Sequence, residues 1–100
     1  MALFPAPGNG KPADPLGVIR SYLALAIQLG APAYNQGDPR GCYEVYACTA
    51  RMLLTAVEGA DDARQRLREA LERCSTEPDV DRQAWIMRHA FDAVLGKDDN

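Results

Sequence analysis

The sequence predicts an all-α fold: four helices in one domain, arranged as an antiparallel bundle or a right-angled helical array. Three observations lead there. Apolar residues recur at three- and four-residue steps in four separate stretches. Each stretch is bounded by recognisable start or stop residues. No segment alternates apolar and polar residues at period two over more than a few positions, so no strand is expected.

Residues 1–14 hold Pro5, Pro7, Gly8, Gly10 and Pro12 and read as an extended Pro/Gly-rich arm, with Leu3 and Phe4 as its only large apolar residues. Asp14-Pro15 then supplies an N-cap residue followed by proline at the first helical position. From there Leu16, Ile19, Leu23, Ala26 and Ile27 share a face that Val18, Tyr22, Leu25 and Leu29 widen, so this helix is expected to be central. Gly30 reads as its C′ residue with Pro32 blocking a straight continuation; the alternative is a kinked helix running on to Tyr34. Asp38-Pro39 repeats the start signal, and Cys42, Val45, Tyr46, Thr49, Met52, Leu53 and Ala56 carry a second helix over 39–58, stopped by Gly59. A third helix over 63–74, capped by Asp61 or Asp62, has a thin stripe of Ala63, Leu67, Ala70, Leu71 and Cys74 and a charged outer face. On that face the spacings Arg68–Glu72 and Glu69–Arg73 allow weak pairing. The fourth, over 80–95, packs Val80, Ala84, Met87, Phe91, Val94 and Leu95 inward and ends at Gly96. The domain thus spans 15–96, with a polar tail at 97–100.

One hundred residues suffice for one core, since a chain of this size buries roughly two-thirds of its unfolded surface. A net charge of −3 disfavours a nucleic-acid partner, whose footprint is a basic stripe. The three cysteines, Cys42, Cys48 and Cys74, cannot all pair with one another and are read as small buried hydrophobes. No apolar run approaches the ~18 residues of a membrane span, and residues 1–15 show no charged stretch followed by an apolar one. A cytoplasmic protein without a membrane span is the expectation.

The stretch 29–46 carries Leu29-Gly30, then Tyr34, then Gly37-Asp38, then Cys42 and Tyr46. It resembles one tetratricopeptide helix-turn-helix, in which small residues let two helices approach and aromatic residues fill the gap between them. The resemblance implies a tetratricopeptide-like array and a binding module, and it identifies no ligand residue. It covers about a fifth of the chain, and it departs from the family at Pro32, inside the would-be first helix, and at Thr49, where alanine is usual. No second copy follows.

Catalytic chemistry finds little support. His89 is the only histidine, and no serine or cysteine nucleophile stands in a recognisable motif with it. Cys42 and Cys48 are six residues apart, unlike the tight ligand pairs of zinc sites. Asp61-Asp62 and Asp79-x-Asp81 lack the glycine and distal glutamate of a calcium loop.

Tyrosines are the more informative residues: Tyr22, Tyr34, Tyr43 and Tyr46 all fall in the sparsely charged first half. Tyrosine suits interfaces because it joins a large apolar body to a polar tip. The expected function is therefore a non-catalytic protein-interaction or assembly module, without a cofactor, acting through the hinge between the first two helices. Tyr34, Cys42, Tyr43, Tyr46 and His89 are its candidate binding residues. The alternative is a small-molecule, haem or metal-binding bundle whose inter-helix pocket is lined by Tyr34, Cys42, Tyr46, Met87 and His89.

Overall fold

Proline occupies the first turn of both leading helices, where its missing N–H costs nothing. In the computed structural model, which describes residues 14–97, four helices follow: α1 (Pro15–Asn35), α2 (Pro39–Ala56), α3 (Asp61–Ser75) and α4 (Val80–Leu95). The fold is all-α, and no strand occurs among the described residues. The expectations for the arm and the tail lie outside the described residues, apart from Asp14 and Lys97.

Side-chain caps form at two helix starts, the expected one at Asp38 and a second at Asp79. Asp38 Oδ1 accepts from the Gly41 amide at 2.9 Å, and Asp79 Oδ1 from the Asp81 amide at 3.0 Å. Asp14 stands at the N-cap of α1 without a side-chain cap bond. Neither Asp61 nor Asp62 caps α3: the N-cap is Ala60, in the left-handed region at φ 48°, and both aspartates lie in the first turn, where they meet the positive end of the helix dipole. On the outer face of α3, Gln65 takes the contacts expected between charges, donating to Glu69 and accepting from Arg68.

The first helix does not stop at Gly30. It runs five residues further, through Pro32, to Asn35. Gly30 is buried within it against the ring of Tyr46, where a Cβ would lie 2.6 Å from Cε1. Glycine is there for a close helix–helix approach, and this packing outweighs the ~3 kcal/mol that an interior proline costs. The chain then reverses over Gln36–Asp38, with Gly37 at φ +89°.

Neighbouring helices pack in sequence, and α4 also reaches α2 and α1, so α2 and α4 form the middle with α1 and α3 on either side. The core joins Ile19, Leu23 and Ala26 of α1 to Cys42, Tyr46, Ala50 and Leu53 of α2, Leu67, Ala70 and Cys74 of α3, and Ala84, Met87, Phe91 and Val94 of α4. This corrects the expectation that α1 is central: its buried residues form a single stripe, while Leu25 and Leu29 are exposed. Its apolar residues outnumber the places the core offers. By length and composition α1 is also sufficient to cross a membrane, a test that the core helix of a soluble protein passes as well. The sequence expectation counted unbroken apolar residues, whereas an average tolerates Arg20, Ser21 and Gln28 among them.

Candidate functional site

Because α1 continues past Pro32, its last turn stands over the start of α2 and the first half of α4. Between them lies a cavity of about 320 Å³ lined by Ala31, Tyr34, Asn35, Cys42, Tyr46, Ala84, Trp85 and Arg88. A hydrogen-bonded chain of side chains borders it at the rim and an ion pair at the floor.

At the rim, Trp85 Nε1 donates to the Tyr34 hydroxyl at 2.9 Å, and that hydroxyl donates to Asp81 Oδ1 at 2.5 Å. The rings of Tyr34 and Trp85 meet edge-on, with centroids 5.6 Å apart, a favourable aromatic geometry. The bond to Asp81 holds the Tyr34 hydroxyl above its ordinary pKa, since ionisation would face a carboxylate. Trp85 remains 45 % exposed.

At the floor, Arg88 Nε donates to Asp92 Oδ1 at 3.1 Å. The Tyr46 hydroxyl lies near the same guanidinium and near the Cys42 thiol, close enough for both to act on its ionisation. Burial and the contact with Cys42 push the Tyr46 hydroxyl up to about 12. Burial likewise raises Cys42, so its thiol stays neutral and is a poor nucleophile. The ring of Tyr46 leans on Phe91, with centroids 5.1 Å apart, and this fixes its position.

Three of the five candidate binding residues, Tyr34, Cys42 and Tyr46, meet in this cavity. Tyr43 does not line it: one residue on from Cys42, it turns to another side of α2, half-buried against the core. His89 does not line it either: it is exposed in a groove between α3 and α4 beside Arg66, Glu69 and Arg73, although its ring lies against that of Trp85 at the cavity rim, with centroids 5.7 Å apart. Met87 is fully buried in the core. The proposed lining of Tyr34, Cys42, Tyr46, Met87 and His89 is therefore not assembled. On α4 the cavity takes 84, 85 and 88, and one helical position rotates a side chain by about 100°.

Trp85 and Arg88 were not among the candidates. Their three-residue spacing on α4 was visible, but their meeting with Tyr34 depends on α1 passing Gly30. Among the described residues no group of three or more His, Cys, Asp or Glu side chains is placed to hold a metal ion. Comparison with protein-family models, with curated proteins and with solved structures returned no match.

Proposed function

We propose that the chain is a non-catalytic protein-interaction module whose recognition site is the cavity at the α1–α2 hinge, and that it receives an apolar side chain of a partner protein. The observation supporting this reading is the state of the cavity's polar groups. The Tyr34 hydroxyl, the Trp85 indole and the Arg88 Nε are already bonded to side chains of the chain itself. What the cavity offers an incoming group is mainly aromatic and alanine surface, together with the side chain of Asn35. Its volume lies at the small end of the ~300–1,000 Å³ typical of ligand pockets, suited to one anchoring side chain. Exposed tryptophan is the residue type most often found at the energetic centre of interfaces. The close helix pair, with Gly30 under Tyr46, fits the tetratricopeptide-like reading of 29–46 as a binding scaffold.

The test compares the proteins retained by the wild-type chain with those retained by Trp85→Ser, which removes the rim, and by Ala31→Phe, which fills the cavity. A partner lost from both variants, with far-UV circular dichroism melts unchanged, is the expected result. A partner set indifferent to both would remove the cavity from the function. A small-molecule ligand is the second reading, favoured by the same volume, and it would appear as non-covalent mass on the native 10.9 kDa chain.

A further inference from the structure

A second recess lies between α3 and α4. Arg66, Glu69 and Arg73 of α3 border a groove of about 240 Å³ opposite Ile86 and His89 of α4, over a floor of Ala70 and Ala90. The α3 residues follow at steps of three and four, which places all three on one face. Arg66 and Arg73 are seven positions apart, so about 10 Å along the helix axis. His89 divides this groove from the cavity, since its ring lies against that of Trp85.

The charges of the groove are unmatched. Arg66 and Arg73 are exposed, and among the described residues neither holds a hydrogen bond or an ion pair. The chain has an excess of acids, with a net charge of −3, but those of α4 and its cap are engaged elsewhere. Asp79 pairs with Arg82, Asp81 accepts from Tyr34 and Asp92 pairs with Arg88. Glu69, between the two arginines, accepts from Gln65 of its own helix. An anionic chain thus leaves two cations open, one on either side of a carboxylate.

We propose that this groove receives an acidic helix of a partner protein, with two carboxylates seven positions apart, one on Arg66 and one on Arg73. The inference rests on the reading of the chain as an interaction module and adds a second surface to it. Charge complementarity selects the occupant. Glu69 opposes any anion placed midway between the arginines, which disfavours a single phosphate bridging both. A nucleic-acid strand or an anionic lipid surface would set a continuous row of anions against Glu69 as well. A helix returns to the same face after seven residues, at the same ~10 Å that separates Arg66 from Arg73, and can present a neutral residue to Glu69. The small side chains of Ala70 and Ala90 leave room for its close approach.

Fluorescence anisotropy of a labelled, alanine-based helical peptide with two glutamates seven positions apart tests this at low ionic strength. One twin carries the glutamates five positions apart, and another carries glutamine in place of both. The first peptide should bind roughly 10-fold more tightly than either twin, the size of two exposed ion pairs. The preference should vanish in the chain carrying Arg66→Gln and Arg73→Gln together, and fade as salt is added. Both arginines are exposed, so the circular dichroism melts of that variant should match the wild type. No difference between the two spacings, whether both peptides bind or neither does, would overturn the proposal. So would a preference that survives in the double variant, or tighter binding of a peptide with one phosphoserine midway in place of the glutamates. Ala31→Phe fills the cavity without touching the groove and should leave the affinity for the peptide unchanged, so a failure of the cavity reading and a failure of this one are seen separately.

Discussion

Gly30 of α1 lies so close to Tyr46 of α2 that a Cβ would stand 2.6 Å from Cε1 of the ring and 3.2 Å from Cδ1. Tyr46 is 1 % exposed and rests on Phe91, which holds its ring against α1. Gly30→Ala should therefore destabilise the fold by about 1–3 kcal/mol through overpacking, more than the up to ~1 kcal/mol that alanine gains over glycine in helix propensity. Gly17→Ala, in the same helix, should be neutral or stabilising, because the methyl would meet only the movable carboxylate of exposed Asp14. Urea denaturation checks both: the midpoint falls for Gly30→Ala, holds or rises for Gly17→Ala, and the slope stays constant.

That contact also marks where reading the sequence stops working. Gly30 followed by Pro32 is a local stop signal, and locally it is a sound one. What overrides it is Tyr46, sixteen positions on, whose ring needs a residue without a side chain opposite it. The same long-range packing brings Tyr34 to Trp85, so the rim of the cavity was invisible to periodicity although each helix was legible. Asp38 and Gly96 act within a few residues of themselves and stand where the sequence places them. Trp85 adjoins Ala84 of the α4 core stripe, and hydrophobicity alone does not separate a residue facing the core from one facing a cavity beside it.

Tyr46 supplies a prediction about pH. Burial, with the contact to Cys42, raises its hydroxyl from 10.0 to about 12 in the folded chain. The fold thus favours the neutral phenol more than the unfolded chain does. The stability this brings is complete below pH 10 and is lost as pH rises from 10 towards 12. Tyr46→Phe should lower stability near neutrality by about 1 kcal/mol, because the polar contacts of its buried hydroxyl with Cys42 and Arg88 disappear. It should also flatten the alkaline decline, so that the two melting curves converge across this window. Parallel declines would place the alkaline loss elsewhere.

Ala60 is the only non-glycine with positive φ among the described residues, at 48°. Left-handed backbone costs an L-residue with a Cβ about 1–2 kcal/mol, which glycine does not incur. Ala60→Gly should therefore stabilise the α2–α3 link by about 0.5–1 kcal/mol, the remainder being offset by the greater freedom of glycine in the unfolded chain. Ala60→Val at the same position should destabilise. Thermal melts of the two variants with opposite signs are the expected result, and a loss in both would show that the Ala60 methyl matters more for its packing than for its backbone.

The three cysteines should separate cleanly under a thiol reagent. Cys48 is exposed on α2, while Cys42 and Cys74 are buried and held above their ordinary pKa by burial. The expectation that all three are buried fails at Cys48, because the exposed face of α2 has to include some position between Val45 and Met52. One thiol per chain should react at once, and Cys48→Ser should abolish that phase. The other two should react at least roughly 1,000-fold more slowly, since reagent reaches them only when the structure opens. Their order carries the information. Cys42 borders the cavity and Cys74 lies between α3 and α4, its thiol donating to the Gln83 carbonyl at 3.5 Å. If the α1 end of the cavity opens more readily than the rest of the core, Cys42 reacts before Cys74, and Gly30→Ala should hasten Cys42 more than Cys74. Equal rates for the two in every variant would mean that both wait for global unfolding and that the hinge has no independent motion.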